Sequence, residues 1–368
     1  MKSKIFFVFI AIQLGIVACK PSSDWEIIDF TNPTVLNKAP KFDLEKAVFL
    51  NFYDLEDIGV IKSVKFYHDE IFLMEDGLKN SIVVLDAEGN FKRRLLRLGM
   101  GPGEYSQIEF FLVAENKILI YDRLQSKLLR YDLNNLDFTD EIKLNDLYLK
   151  DGVYSSDLRS FLFISDSETD EMGLSKGYVI VSSDFKTIDC QYQAVATIEA
   201  HQFQNFSQLE DNFIYITQPF SELVYRFGGT ALFPSCQVDF GKRKIPSKVL
   251  KLEDAYDFYD LISESNYRFA VHNFNMNKDF VSFNFYQEDI ASVYFGIRDL
   301  VDYKSFIYRP KTYLEEVLYR PLQVYEGQYI SIIDPSEFDD KELMDLGLGF
   351  VLEKKDTSSV VLFYKFGL

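Results

Sequence analysis

RLGMGPGEYSQIEFFLVAENKILIY, at residues 97–121, reads as a joint between two β units. A glycine-proline turn (GMGPGEY, 99–105) runs into an apolar stretch. Glu115 and Asn116 make a polar turn, and a second apolar stretch ends at Tyr121. Proline fixes φ and each glycine accepts positive φ, so the GPG run serves turn geometry. It lacks both the GK[ST] ending of a Walker loop and the GxGxxG spacing of a dinucleotide site.

Outward from this joint the same paired pattern recurs. IFLMED (71–76) is followed by SIVVLD (81–86), ILIYD (118–122) by KLLRYD (127–132), and FLFIS (161–165) by YVIVS (178–182). FIYIT (213–217) then pairs with LVYRF (223–227), FVSFNF (280–285) with SVYFG (292–296), and YISII (329–333) with VVLFY (360–364). These six pairs start mostly about 40 to 50 residues apart, a period that several short strands fill in a propeller blade. Blades stack because one four-stranded sheet cannot bury both of its faces alone. The expected fold is therefore all-β, a six-bladed β-propeller over 41–368. A β-sandwich with irregular loops does not explain six recurrences.

The last pair ends close to Leu368, so closing the ring needs a strand from elsewhere; LEKAVFLNF (44–52) is expected to be the outer strand of the sixth blade. Two segments break the rhythm. Helical spacing after Pro246 over 247–263 and the run SEFDDKELMDL (336–346), ended by Gly347, predict two short helical insertions. They serve as lids or as packing on a propeller edge.

The chain carries a formal charge of −18, with no basic stripe, which excludes nucleic acid as a partner. Lys2 and Lys4 precede an apolar stretch at 5–17, too short to span a bilayer, and Ala18 precedes Cys19. The expected organisation is a lipoprotein signal peptide at 1–19, a tether and N-terminal extension at 20–40, and the propeller. The tetrapeptide IVAC (16–19) resembles a bacterial lipobox, which implies cleavage before Cys19 and lipidation of its thiol. Asp24, Trp25 and Glu26 are similar to short acidic signals for surface export, so an outer-membrane lipoprotein facing either the periplasm or the exterior is expected. A further resemblance rests on GPGEY and the strand after it, which is similar to the joint of NHL-type repeats and, more closely, to the six-bladed β-propeller lipoproteins of Bacteroidota. That resemblance implies a fold and an address rather than an activity.

Chemical motifs are sparse. GxSxG is absent, no catalytic residue is assigned, and no cofactor is expected. His68, His201 and His272 are expected near the bottom, top and middle of different blades, too dispersed for one metal ion. Cys190 and Cys236 are expected as two free, mostly buried thiols, because outer strands of adjacent blades splay beyond disulfide reach. In a blade whose strands run down, up, down and up, the interblade joints and the second turns share one face. Arg97, Glu104, Tyr105, Arg123, Gln125, Gln218, Phe220, Tyr267 and Arg268 are thereby expected around the channel mouth. Their cations and rings suit a sugar or peptide bearing a carboxylate; the competing reading is that the arginines neutralise acidic neighbours between blades. Function is left between a monomeric, membrane-anchored binding or scaffold protein for a glycan, peptide or protein, and a propeller lyase or hydrolase.

Overall fold

The computed structural model describes residues 25–52, 58–77, 79–144, 148–165, 177–185, 188–193 (backbone only), 206–209, 213–218, 220–252, 254–289, 291–354 and 359–367. The leader, Cys19 and the tether lie outside them.

Six antiparallel blades follow one another in the chain, each numbered here by its order. Their innermost strands are Val60–Tyr67, Phe110–Ala114, Leu149–Ser155, Phe206–Gln208, Arg268–Met276 and Gln323–Tyr325. Each pair of runs recognised in the sequence forms the second and third strands of one blade, hydrogen-bonded to each other, as in Glu70–Asp76 with Ser81–Asp86. Near-continuous apolar runs form there because both faces of a blade are covered by neighbours. Side chains alternate across the sheet with a period of two. Ile71 and Leu73 therefore pack with Val361 and Phe363 of blade 6, whereas Phe72 and Met74 between them pack with Phe111 and Ile118 of blade 2. Leu119 and Tyr121 pass the contact on to Phe161 and Phe163 of blade 3.

The strand Lys41–Phe49 pairs antiparallel with Val360–Gly367 and forms the outer edge of blade 6, starting three positions earlier than the sequence suggested. The extension before it is itself built into the fold. Glu26–Asp29 runs parallel to Leu232–Asp239 at the edge of blade 4, and Thr34–Val35 runs parallel to Ser305–Tyr308 at the edge of blade 5. One continuous N-terminal strap thus covers three successive sheet edges, which would otherwise present unpaired backbone groups.

Blade 5 departs from the regular ring. Ser207 of blade 4 pairs in parallel with Val324 of blade 6, so the innermost strands on either side of blade 5 meet. The innermost strand of blade 5 is consequently buried along nearly its whole length, His272, Asn273 and Asn275 included. Its register slips twice against the second strand, and Ala270 and Asn273 take positive φ at 54° and 49°.

Both expected insertions are helical. The first contains a 3-10 turn at Val249–Lys251 and the helix Ala255–Ser263, whose N-cap Asp254 accepts from the backbone of Tyr256 and Asp257. The second contains Asp340–Asp345 flanked by 3-10 turns. A further helix, Tyr313–Tyr319, joins blades 5 and 6; its signal was the capping pattern at Thr312, whose side chain accepts from the Glu315 backbone. The tyrosine hydroxyls of Tyr319 and Tyr364 donate to the carbonyls of Pro40 and Leu318, tying this helix to the strap and to blade 6. No helix among the described residues is long and apolar enough to cross a membrane.

Candidate functional site

The GPGEY joint is a closed hydrogen-bonded unit. Tyr105 is fully buried, donates its hydroxyl to the Leu95 carbonyl at 3.1 Å, and exchanges backbone bonds with Arg97 and Gly99. Glu104 turns back onto the Gly101 backbone at 2.9 Å. The Gln125 amide donates to Gly99 O, Ser106 Oγ and Asp122 Oδ2 at 3.1, 2.9 and 2.7 Å. Asp122 is fully buried and also receives the Ser106 backbone at 2.6 Å. Glu104, Tyr105 and Gln125 therefore hold the joint together; Tyr105 is buried in it rather than exposed as the sequence suggested, while Glu104 and Gln125 are half-buried. Arg97 is exposed. Arg123 faces Glu109 at 3.9 Å, the neutralising role that the competing reading assigned to the arginines.

The other expected site residues gather elsewhere. Phe220 and Arg268 line a pocket between blades 4 and 5, both buried rather than exposed at a rim. Tyr267 is partly buried against the same apolar cluster as Phe220, Phe258 and Phe269. Gln218 is buried, and its Oε1 has no hydrogen-bond partner among the described residues. The residues expected around one mouth thus separate into a joint between blades 1 and 2, where Arg97 and Arg123 stay exposed, and a pocket between blades 4 and 5, where Phe220 and Arg268 are buried.

The channel mouth is lined by a different set. A cavity of about 510 Å³ is bordered by Lys62, Lys65, Glu109, Lys150, Asp151 and Arg320, with Asn273 and Ile164 in its wall. Two β-bulges produce this lining. The pairing of the two inner strands of blade 1 slips between Ile61 and Ser63, and that of blade 3 slips between Leu149 and Asp151. An extra residue in one strand re-aims its neighbours, so consecutive residues, Lys62 with Ser63 and Lys150 with Asp151, border the same cavity. Among the described residues, four cations against two carboxylates border this mouth in a protein of net charge −18. Burial pushes the Asp151 carboxyl up, while Lys65 and a hydrogen bond from the Gly152 backbone at 2.8 Å pull the other way.

Unsatisfied amide groups add to this chemistry. Asn273 donates to Asn284 Oδ1 and to the Pro321 carbonyl, both at 3.1 Å, and its Oδ1 has no partner among the described residues. Deeper in, a smaller cavity of about 110 Å³ is bordered by Phe66, Tyr154, Phe206 and Tyr325, with Lys65 shared between the two cavities. Gln323 borders it as well, with Nε2 lacking a partner among the described residues. Sequence reasoning missed Lys62, Lys65 and Lys150 because only the second and third strands of each blade were assigned. The available signal was a charge inside an otherwise strand-like run that opens a blade, as in VIKSVKFY (60–67).

His68 is exposed in the first turn of blade 1, and His272 is buried in blade 5; His201 lies outside the described residues. No group of three or more metal-ligating side chains occurs among the described residues. Cys236 is a free, buried thiol, and the side chain of Cys190 lies outside the described residues.

Comparison with known proteins agrees with this architecture. The family described as a 6-bladed beta-propeller matches residues 18–330. A candidate exported protein from Bacteroides fragilis superposes with a TM-score of 0.66 at 16% identity, over 93% of this chain and 100% of that one. A streptogramin B lyase aligns with a TM-score of 0.40 at 11% identity, covering 87% of this chain and 98% of its own. No curated protein matches the chain in sequence.

Proposed function

The chain belongs to the family of 6-bladed beta-propellers, and from that premise we propose that it is a lipid-anchored binding protein of the cell envelope whose channel mouth receives a carboxylated glycan. The observation that carries this reading is the pair of bulges that brings Lys62 and Lys150 to one cavity beside Lys65 and Arg320. Among the described residues, neither Lys62 nor Lys65 has a carboxylate within ion-pair reach. Lysines in a concave, partly enclosed site attract anions more strongly than lysines on an open surface. The amides of Asn273 and Gln323 supply an acceptor and a donor for hydroxyls, and Phe66, Tyr154 and Tyr325 supply faces for sugar rings. Anchoring through Cys19 rests on the IVAC motif and the leader before it.

Calorimetric titration with trigalacturonate and with a neutral trisaccharide tests the reading. Binding of the acidic sugar alone is expected, weakened at least tenfold in Lys62→Ala/Lys65→Ala and by raised salt, with the melting temperature nearly unchanged. Equal binding of the neutral sugar, or no loss in that variant, defeats it; binding of an acidic peptide alone would move the ligand class to proteins. A second reading, a lyase or hydrolase, draws on the raised Asp151 carboxyl in the same cavity as Lys65, a group suited to proton transfer. Release of product from trigalacturonate that disappears in Asp151→Asn would establish it.

A further inference from the structure

A pocket of about 310 Å³ between blades 4 and 5 is separate from the channel and has a buried cation at its wall. Arg268 is only 3% exposed. Its Nε donates to Gln287 Oε1 and its Nη1 to the Phe30 carbonyl, both at 2.8 Å and both to neutral oxygens. Among the described residues no carboxylate lies within ion-pair reach of Arg268, and its Nη2 has no hydrogen-bond partner. The acidic side chain at the pocket, Glu222, is already held by Lys244 at 3.3 Å and by the Phe240 backbone at 3.4 Å. Arg243 approaches the same Gln287 oxygen at 3.4 Å, so two guanidinium groups converge on one uncharged acceptor. Burial, reinforced by the positive charge of Arg243, lowers the Arg268 guanidinium to about 10, which leaves it charged at neutral pH.

A buried guanidinium normally faces a carboxylate, because an uncompensated buried charge is strongly destabilising. We propose that this pocket binds a small organic carboxylate carried on a flat ring, with the carboxylate against Arg268 and the ring among Trp25, Phe220, Phe240 and Phe269. The free edge of a guanidinium suits a planar carboxylate. The aromatic side chains favour a ring over a bare anion. Phe220 is fixed against Phe258 and Phe269, with ring centroids 5.0 and 5.8 Å away, so this wall is preformed.

Trp25 is the sole tryptophan of the chain and borders the pocket, so its fluorescence reads occupancy directly. Titration of the full chain with phenylacetate is expected to give a saturable change, and phenylacetamide none. Arg268→Met is expected to raise the apparent Kd for phenylacetate more than tenfold. Ser247, exposed at the pocket, provides a variant outside the core, and Ser247→Phe is expected to weaken phenylacetate as well. Equal responses to acid and amide, saturation by sulfate with no response to phenylacetate, or an unchanged titration in folded Arg268→Met would overturn the assignment. Should Arg268→Met fail to fold, an unchanged titration in Ser247→Phe overturns it instead.

Discussion

The Phe30 carbonyl accepts a hydrogen bond from the Arg268 guanidinium at 2.8 Å, across 238 positions of chain. Through this contact the N-terminal strap meets the first residue of the innermost strand of blade 5. The Phe30 ring is fully buried, 4.7 Å from Phe283 and 6.5 Å from Phe240. The strap is therefore part of the core and not only an edge cover.

Phe30→Ala tests that conclusion. Removing a fully buried phenyl costs about 3–5 kcal/mol through lost transfer energy and the cavity left behind. Urea unfolding of the variant is expected to show a loss of that size; a loss below about 1 kcal/mol would mean that the strap is peripheral.

Gly103 lies at the centre of the GPGEY joint with φ of 71°, and a Cβ there would fall 2.6 Å from the Phe138 ring. Left-handed backbone costs a non-glycine residue about 1–2 kcal/mol, and the overlap with a packed ring adds a similar amount. Gly103→Ala is expected to lower stability by about 2–4 kcal/mol, whereas Met100→Ala, at an exposed position of the same loop, leaves the melting curve in place. Similar curves for both variants would count against a rigid joint.

His272 is held down to about 3, chiefly by burial, with the positive charge of Arg320 acting in the same direction and the hydrogen bond to the Ala270 carbonyl at 2.7 Å opposing it. The unfolded chain, with its imidazole near 6.5, binds more protons than the folded chain between about 3 and 6.5. Stability contributed by the neutral ring is complete above pH 6.5 and is lost as pH falls through that window, by at most about 1.4 kcal/mol per unit. His272→Gln is expected to flatten the acid limb of a stability profile. An unchanged slope from pH 6.5 to 4 in the variant would assign that limb to other groups.

Cys236 sits under the strap, with Glu26 and Val224 as its strand partners, and burial pushes its thiol well above the usual range. Thiolate, not thiol, reacts with alkylating agents. Iodoacetamide is expected to leave Cys236 unmodified in the native protein and to label it after denaturation without reductant. Rapid native labelling would show that the strap lifts readily from blade 4.

The paired runs from IFLMED to VVLFY identified the architecture because second and third strands are covered on both faces, and a face buried twice writes an apolar signature into nearly every residue. Ring closure was legible for a similar reason: LEKAVFLNF is a strand-like run with no local partner. The glycines of the GPGEY joint declared a turn, since positive φ selects for them. What the sequence could not express was the use of each polar side chain. Tyr105 and Gln125 look like recognition residues in one dimension, yet Leu95, Gly99, Ser106 and Asp122 take up their hydrogen bonds once the turns fold. Lys62 and Lys150 look like ordinary strand charges, yet a one-residue slip in each ladder brings them to the channel. Arg268 reads as an exposed cation, and burial between two blades leaves it against neutral oxygens and the Phe285 ring. Strand identity follows from local periodicity, which a sequence carries residue by residue. Bulge register and the pairing of buried charges depend on contacts between distant segments, and those exist only in the folded ring.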